Sequence, residues 1–324
     1  MTITDEIELV EHRLTKWFAQ RLPGGRPSNV KLTQLSGGYS NPTYLVEFGA
    51  RSDRFVLRWD PIIGPQAPYD MVRQYETFRA LVETAVPVPA PYWVETDLSV
   101  LGRIFWICEF VEGETAGRLL DPADRLTPAR TDAFVAMLAQ IHAVDWRSTP
   151  LTGLLDHLDP TATASMIDAE LRFFPDVPEE DRPSFEGARI WLHDRRPTEF
   201  EMCLNHGDCN LSNFLFQGSE IRAVIDWELS SITDPCADVA FYCALLPRYR
   251  IGQSAEAVRA ERDYFLREYR RLTARDCTTL TFWEIFCNYR YALSWAQHGL
   301  SHPRSGYVAY RDRMREMTET DGRG

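Results

Sequence analysis

Apolar and polar positions along this chain repeat with one period near its start, another through the next seventy residues, and a third beyond. Ile7, Val10, Leu14, Trp17 and Phe18 recur at helical spacing, so residues 5–22 predict an amphipathic helix, ended by the Pro/Gly cluster at 22–27. From Val30 to Leu35 the period shortens to two, as in a half-buried strand, and it does so again over Thr43–Phe48 and Arg54–Trp59. Residues 70–82 predict a helix, and Val86-Pro87-Val88-Pro89-Ala90-Pro91 an extended connector. Strands over Tyr92–Glu95 and Ile104–Phe110 complete a five-stranded antiparallel sheet.

Beyond Gly113 the pattern turns helical. Thr127-Pro128 makes a cap and first-turn pair for a helix that carries Phe134, Leu138 and Ile141 on one face. His142, near its end, reads as a core or capping residue. Helices are expected at 161–173 and 183–194. A hairpin follows, with strands at 213–216 and 221–225 around the turn Gln217-Gly218-Ser219. A helix begins at Asp234-Pro235 and runs through Tyr242, with Asp238 anchoring a turn or the helix start, and helices at 254–274 and 279–299 finish this helical part. No internal repeat is visible.

Composition narrows the class. The 324 residues, 44% of them hydrophobic and 12% aromatic, are enough for a large core and exclude a disordered chain. No apolar run reaches membrane-spanning length, and the acidic, amphipathic start is not that of a signal peptide. Seven cysteines, an odd number without a C-x-x-C pair, indicate neither a disulfide framework nor a zinc ribbon, and a reducing cytoplasm fits best. Cys203, His206 and Cys209 do form a C-x2-H-x2-C string, but a zinc site there competes with the strand pattern. A net charge of −12 argues against nucleic acid as a partner. Twelve acids against five arginines over 151–201 read as a solvated acidic surface, with attraction of a cationic substrate as the alternative.

The chemistry concentrates in Leu204–Glu228. His206, Asp208, Asn210 and Asn213 fall within eight residues, and Asp226 ends the second strand of the hairpin. Strand geometry brings Asn213 and Asp226 to one end of that hairpin. Two oxygen ligands there, with a carboxylate five residues ahead of the first, have the spacing of a protein-kinase catalytic loop. In that arrangement Asp208 accepts a proton from an attacking hydroxyl, while Asn213 and Asp226 hold Mg²⁺ on a nucleotide's phosphates. A buried hairpin with polar ends is the plainer alternative. Upstream, Ser36-Gly37-Gly38-Tyr39-Ser40-Asn41-Pro42 joins two strands and could fold over a polyphosphate, since glycines let backbone N–H groups approach closely. An ordinary hairpin loop would look the same.

Taken together, LSGGYSNPTY, FVLRWDP, VPVPAPYWVETD, ICEFVEG, NHGDCNLSNFLF and AVIDWE with DPCADVAFY resemble the aminoglycoside phosphotransferase family. The resemblance is closest to the branch related to the kinase-like domains fused to acyl-CoA dehydrogenases. It runs in family order over roughly residues 30 to 245. It implies an α+β, protein-kinase-like two-lobed fold, with a small antiparallel-sheet lobe over 1–107, a hinge at 108–113 and a larger, mostly helical lobe over 114–324. It also implies transfer of the γ-phosphoryl of ATP or GTP to a hydroxyl of a small-molecule acceptor. By position, Asp208 would be the base, Asn213 and Asp226 the Mg²⁺ ligands, His206 an orienting residue and Asn210 a supporting one. Ser36, Gly37, Gly38, Ser40 and Asn41 would cover the phosphates, and Glu109, Phe110 and Val111 would hold the base of the nucleotide.

Two positions depart from the family pattern. Arg58 stands where a phosphate-binding lysine is usual, and no lysine can replace it because the only two, Lys16 and Lys31, precede the glycine loop. Arginine still grips phosphates, as a planar fork rather than a point charge. Gln74 stands where a glutamate usually pairs with that lysine, and Glu76, two residues on, faces elsewhere on a helix. These departures motivate a rival reading, a nucleotide-binding pseudoenzyme. A protein kinase is disfavoured, since only eight positions separate Asp226 from Asp234, too few for a long activation segment. The helices at 161–194 and 254–299 should wall the acceptor pocket, with Trp283, Asn288, Tyr289, Arg290, Trp295 and His298 on the latter.

Overall fold

A computed structural model describes residues 3–22, 29–35, 43–49, 51–60, 70–116, 126–250, 252–297 and 305–321. The strands, in chain order, are β1 (Val30–Gln34), β2 (Thr43–Phe48), β3 (Arg51–Trp59), β4 (Pro91–Glu95), β5 (Phe105–Glu109), β6 (Glu114–Thr115), β7 (Asp156–His157), β8 (Cys203–Asn205), β9 (Phe214–Gln217), β10 (Glu220–Val224) and β11 (Ser231–Thr233). The helices are α1 (Ile3–Phe18), α2 (Met71–Val82), α3 (Leu98–Leu101), α4 (Pro128–His142), α5 (Leu151–Leu154), α6 (Thr163–Ala169), α7 (Arg182–Asp194), α8 (Cys236–Tyr249), α9 (Ala255–Thr273), α10 (Leu280–Gln297) and α11 (Ser305–Asp321).

The chain divides into two compact units. One is Met1–Glu114 with Leu215–Gln217 and Arg222–Ile225; the other is Thr115–Phe214 with Gly218–Ile221 and Asp226–Gly324. The first is built on the antiparallel sheet β1-β2-β3-β5-β4. Its strands match the sequence expectation closely because strict alternation leaves one face apolar: β2 reads half-buried, buried, half-buried along its length. That face is covered by α1. Leu14, Trp17 and Phe18 pack with Val46, Phe48, Leu57 and Phe105 in one core. Phe18 meets Phe48 edge-on at 5.0 to 5.1 Å, the distance at which it also meets Trp17. Trp17 keeps its indole N–H satisfied by donating to Glu95 Oε2 at 2.7 Å, and Arg21 donates to the same oxygen at 2.9 Å.

In the second unit the capping pair at 127–128 acts as expected: the Thr127 hydroxyl accepts the Arg130 N–H and Pro128 opens α4. Phe134 on α4 packs with Phe214, Tyr242 and Phe265, so α4, α8 and α9 share a core with the start of β9. Three features were not foreseen. The region at 161–173 is α6 continued by a 3-10 helix over Glu170–Asp176. Short strands β7, β11 and β8 form a three-stranded sheet, in which β8 leads into His206. The chain also continues past 299 into α11, whose Tyr307, Tyr310 and Met314 are buried. Asp181 anchors that helix by accepting from Tyr307 and Arg311, each at 2.9 Å.

Because Phe18 is fully buried among other rings, Phe18→Ala leaves a cavity. We expect a loss of roughly 3–5 kcal/mol in unfolding free energy, read from the midpoint of denaturant unfolding followed by tryptophan fluorescence.

Candidate active site

Strand β8 carries the chain into a tight bend at His206-Gly207-Asp208. Gly207 sits at φ +81°, and a Cβ there would lie 2.1 Å from the Leu229 carbonyl oxygen, so the bend demands glycine twice over. The bend is pinned from behind by a residue on α8. Asp238 accepts the His206 N–H at 2.7 Å on one oxygen and the Gly207 N–H at 2.9 Å on the other. Its first oxygen also lies 3.3 Å from His142 Nε2, and His142 Nδ1 lies 2.7 Å from the Tyr269 hydroxyl. Burial alone would raise the Asp238 carboxyl. The bond from His142, the charge of His142 and His206 and the bond from Gly207 outweigh it and hold the group below the usual carboxylate range.

His206 is fully buried, its ring 4.6 Å from that of Trp227. Its Nδ1 accepts the Asp208 N–H at 3.2 Å, so the ring fixes the backbone of the residue that follows the bend. Asn210 then caps a 3-10 turn over Leu211–Asn213 by accepting the Ser212 N–H at 3.1 Å. Tyr249 of α8 locks that turn, donating to Asn210 Oδ1 and accepting the Leu211 N–H, both at 3.0 Å.

The half-buried Asp208 carboxyl is raised from 3.8 to about 6, by burial first; the negative charge of Asp226 adds to the rise, while His206, a side-chain bond from Asn213 and the charge of Arg290 oppose it. Asn213 and Asp226 are therefore both within interacting reach of Asp208. Asn213 turns its amide nitrogen toward Asp208, donating to its backbone carbonyl at 3.0 Å. Asp226 takes the left-handed conformation, φ 67° and ψ 54°, as it caps the 3-10 turn Trp227–Leu229. That is a conformation aspartate adopts more readily than most residues.

Other expected site residues lie in the first unit. Arg58, on β3, is buried, faces Thr43 and Trp106 across the sheet, and has its guanidinium 5.8 Å from the Trp106 ring. Gln74, on α2, is buried, whereas Glu76 pairs with Arg79 at 3.0 Å. Glu109 ends β5 with its N–H donated to the Ala90 carbonyl at 2.9 Å and its carboxylate accepting the Ala90 N–H at 3.2 Å. Arg54 braces the next residues, stacking 4.5 Å over Phe110 and pairing with Glu112. Val111 follows Phe110 outside any strand. Ser36, Gly37, Gly38, Ser40 and Asn41 lie outside the described residues. Among the described residues no group of three or more His, Cys, Asp or Glu side chains is arranged to hold a metal ion, and the Cys203-His206-Cys209 string is no exception: Cys203 is sheet core and His206 belongs to the bend.

Sequence reasoning placed Asp238 at a helix start and missed what it holds. Its only signal was a carboxylate within an otherwise apolar helical turn. Arg290 was named without a role; it lies 3.3 Å from buried Glu170 and acts electrostatically on Asp208.

The fold defines a class: α+β proteins of kinase-like fold. The sequence matches the phosphotransferase enzyme family over residues 31–275, and the chain belongs to that family. It is 31% identical over 239 residues to acyl-CoA dehydrogenase family member 11 of Gallus gallus, an alignment covering 70% of this chain and 30% of that protein. The chain thus spans about 30% of the length of that curated relative. Among solved structures, a candidate aminoglycoside phosphotransferase of Ralstonia eutropha JMP134 superposes with a TM-score of 0.72 at 24% identity, over 95% of both chains. A thermostable mutant of the aminoglycoside phosphotransferase APH(4)-Ia, in ternary complex with AMP-PNP and hygromycin B, gives 0.70 at 18% identity over 95% of this chain and 98% of that one.

Asp238→Ala strands the buried His206 N–H and the part-buried Gly207 N–H at the bend. We expect it to lower unfolding free energy by roughly 2–5 kcal/mol, measured by denaturant unfolding. Asp238→Asn, which keeps one acceptor oxygen, should lose less.

Proposed function

We propose that this chain transfers the γ-phosphoryl group of ATP or GTP to a hydroxyl of a small-molecule acceptor, with Asp208 as general base. One observation carries the reading: Asp208 interacts with both Asn213 and Asp226, so the base and two hard-oxygen side chains converge in one place. That donor set fits Mg²⁺, which prefers few protein oxygens and shares the rest of its coordination with substrate phosphates. Asn213, through its side-chain oxygen, and Asp226 would hold the ion, which when bound neutralises charge on the triphosphate.

The chain's own residues do the rest. Asp208, ionised above about pH 6, takes the proton from the acceptor hydroxyl as its oxygen attacks phosphorus. His206 sets the backbone at Asp208, and Asn210 with Tyr249 sets the turn that delivers Asn213. Arg58 grips nucleotide phosphates as a bidentate fork, assisted by Ser36, Gly37, Gly38, Ser40 and Asn41, and the backbone at Glu109, Phe110 and Val111 receives the nucleotide base. Arg290, which acts electrostatically on Asp208 and pairs with Glu170, is assigned to the acceptor side. The ternary complex of the structural neighbour with AMP-PNP and hygromycin B supports a nucleotide and a hydroxylated small molecule as the two substrates.

A nucleotide-turnover assay over a panel of hydroxylated metabolites tests the reading. Acceptor-dependent ADP or GDP release is expected, and nucleotide binding without any such release overturns it. Asp208→Ala should lower turnover by on the order of 10²- to 10⁴-fold with nucleotide affinity retained. Because the base must be ionised, kcat/KM for the acceptor should be half-maximal near pH 6, level off about one unit above it and fall about tenfold per unit well below it, seen in a pH–rate profile. Asp226→Ala should abolish the gain in nucleotide affinity that Mg²⁺ brings, measured by titration with and without the metal.

A further inference from the structure

Strand β3 sets Arg58 directly opposite Trp106 of β5, so the two side chains share one face of the sheet. The Arg58 guanidinium lies 5.8 Å from the centre of the Trp106 ring, within the distance at which a ring face attracts a cation. Arg58 is 7% exposed and Trp106 is fully buried, so little water screens the contact. The Trp106 ring is itself fixed from α2, where Phe78 meets it at 4.9 Å and Tyr75 at 6.2 Å.

Gln74 precedes Phe78 by one helical turn and lies on the same stripe of α2. The buried side chains of that helix are Met71, Gln74, Thr77, Phe78, Ala80 and Leu81, none of them acidic. Its one carboxylate, Glu76, is engaged by Arg79 at 3.0 Å. Helix α2 therefore turns no negative charge toward the sheet face that bears Arg58; it turns rings toward Trp106. The Trp106 indole N–H is buried and meets no acceptor among the described residues, so a hydrogen bond is not what calls for tryptophan here. Phenylalanine would avoid the cost of that buried donor; what tryptophan adds is the stronger ring face.

We propose that Trp106 is a positioning residue for the nucleotide triphosphate: its ring face holds the Arg58 guanidinium in place of an acidic partner on α2. The inference rests on the phosphotransfer reading, in which Arg58 grips the phosphates. A carboxylate holds a guanidinium through its N–H groups and so competes with phosphate for them. A ring face attracts the charge without accepting those in-plane N–H groups, and does not compete with phosphate oxygens for the fork. Fixing the guanidinium before the nucleotide arrives also removes part of the ordering cost of binding.

The test compares Trp106→Phe, which keeps a ring face, with Trp106→Leu, which does not. Both give up the extra bulk of the indole, and circular dichroism checks that each folds; Trp106→Met replaces the leucine variant if that chain does not. Each full-length variant is titrated with ATP and GTP in the presence of Mg²⁺, and with adenosine and guanosine. The phenylalanine variant should bind the triphosphate roughly 2- to 30-fold more tightly than the leucine variant, with nucleoside affinity alike in the two. Adding Arg58→Met to both should erase the difference, which a merely structural role of the ring would leave in place. Equal triphosphate affinities in the two variants, a matching difference toward the nucleosides, or a difference that survives Arg58→Met overturns the proposal and leaves the phosphotransfer reading untouched. A wild-type chain that binds neither triphosphate overturns both.

Discussion

The bend at His206-Gly207-Asp208 depends on one buried carboxylate on α8. Asp238 is 1% exposed, and a charge so placed is tolerated only when its oxygens are fully engaged. They are engaged by the backbone amides of His206 and Gly207 and by His142, which itself leans on Tyr269. The dependence runs both ways. The bend leaves two amides with no strand partner, and they would be costly to bury if α8 did not offer an acid at that turn. The acid would be costly to bury without those amides.

From that anchor the geometry propagates outward in short steps. Gly207 allows a close approach to Leu229 that no side chain permits. His206, wedged against Trp227, fixes the Asp208 backbone, and Tyr249 fixes the next turn through Asn210. Each step uses a rigid ring or a backbone amide rather than a long flexible side chain. This is how a loop acquires a fixed geometry without long side chains to hold it. The same core of α4, α8 and α9 that buries Phe134 and Tyr242 supports the whole arrangement.

Much of the architecture was legible from residue order. β2 coincides with its expected bounds because Tyr44, Val46 and Phe48 recur at a period of two and share the buried face, and α4 begins where Thr127-Pro128 says it should. The helix α11 escaped because its apolar residues, Tyr307, Tyr310 and Met314, are thinly spread among charges, so the stripe reads as a polar tail. β7, β8 and β11 escaped because two- and three-residue strands carry no period. At the site, spacing was enough to single out Asp208, Asn213 and Asp226, which are close in sequence. It could not reveal Asp238 holding His206, or Arg290 acting on Asp208, because those contacts join residues more than thirty and eighty positions apart. Long-range partners of a short motif are set by packing, and a single sequence records packing only as burial.

The raised carboxyl of Asp208 has a consequence for how such a fold can drift. A group that binds its proton more tightly in the folded than in the unfolded chain adds stability at low pH and loses that contribution as pH rises through about 6. Near neutrality the ionised carboxylate is a standing load on the very structure that holds it. A neutral side chain of similar size at this position would relieve that load, so a chain that keeps the fold without an ionised group here lies downhill in stability.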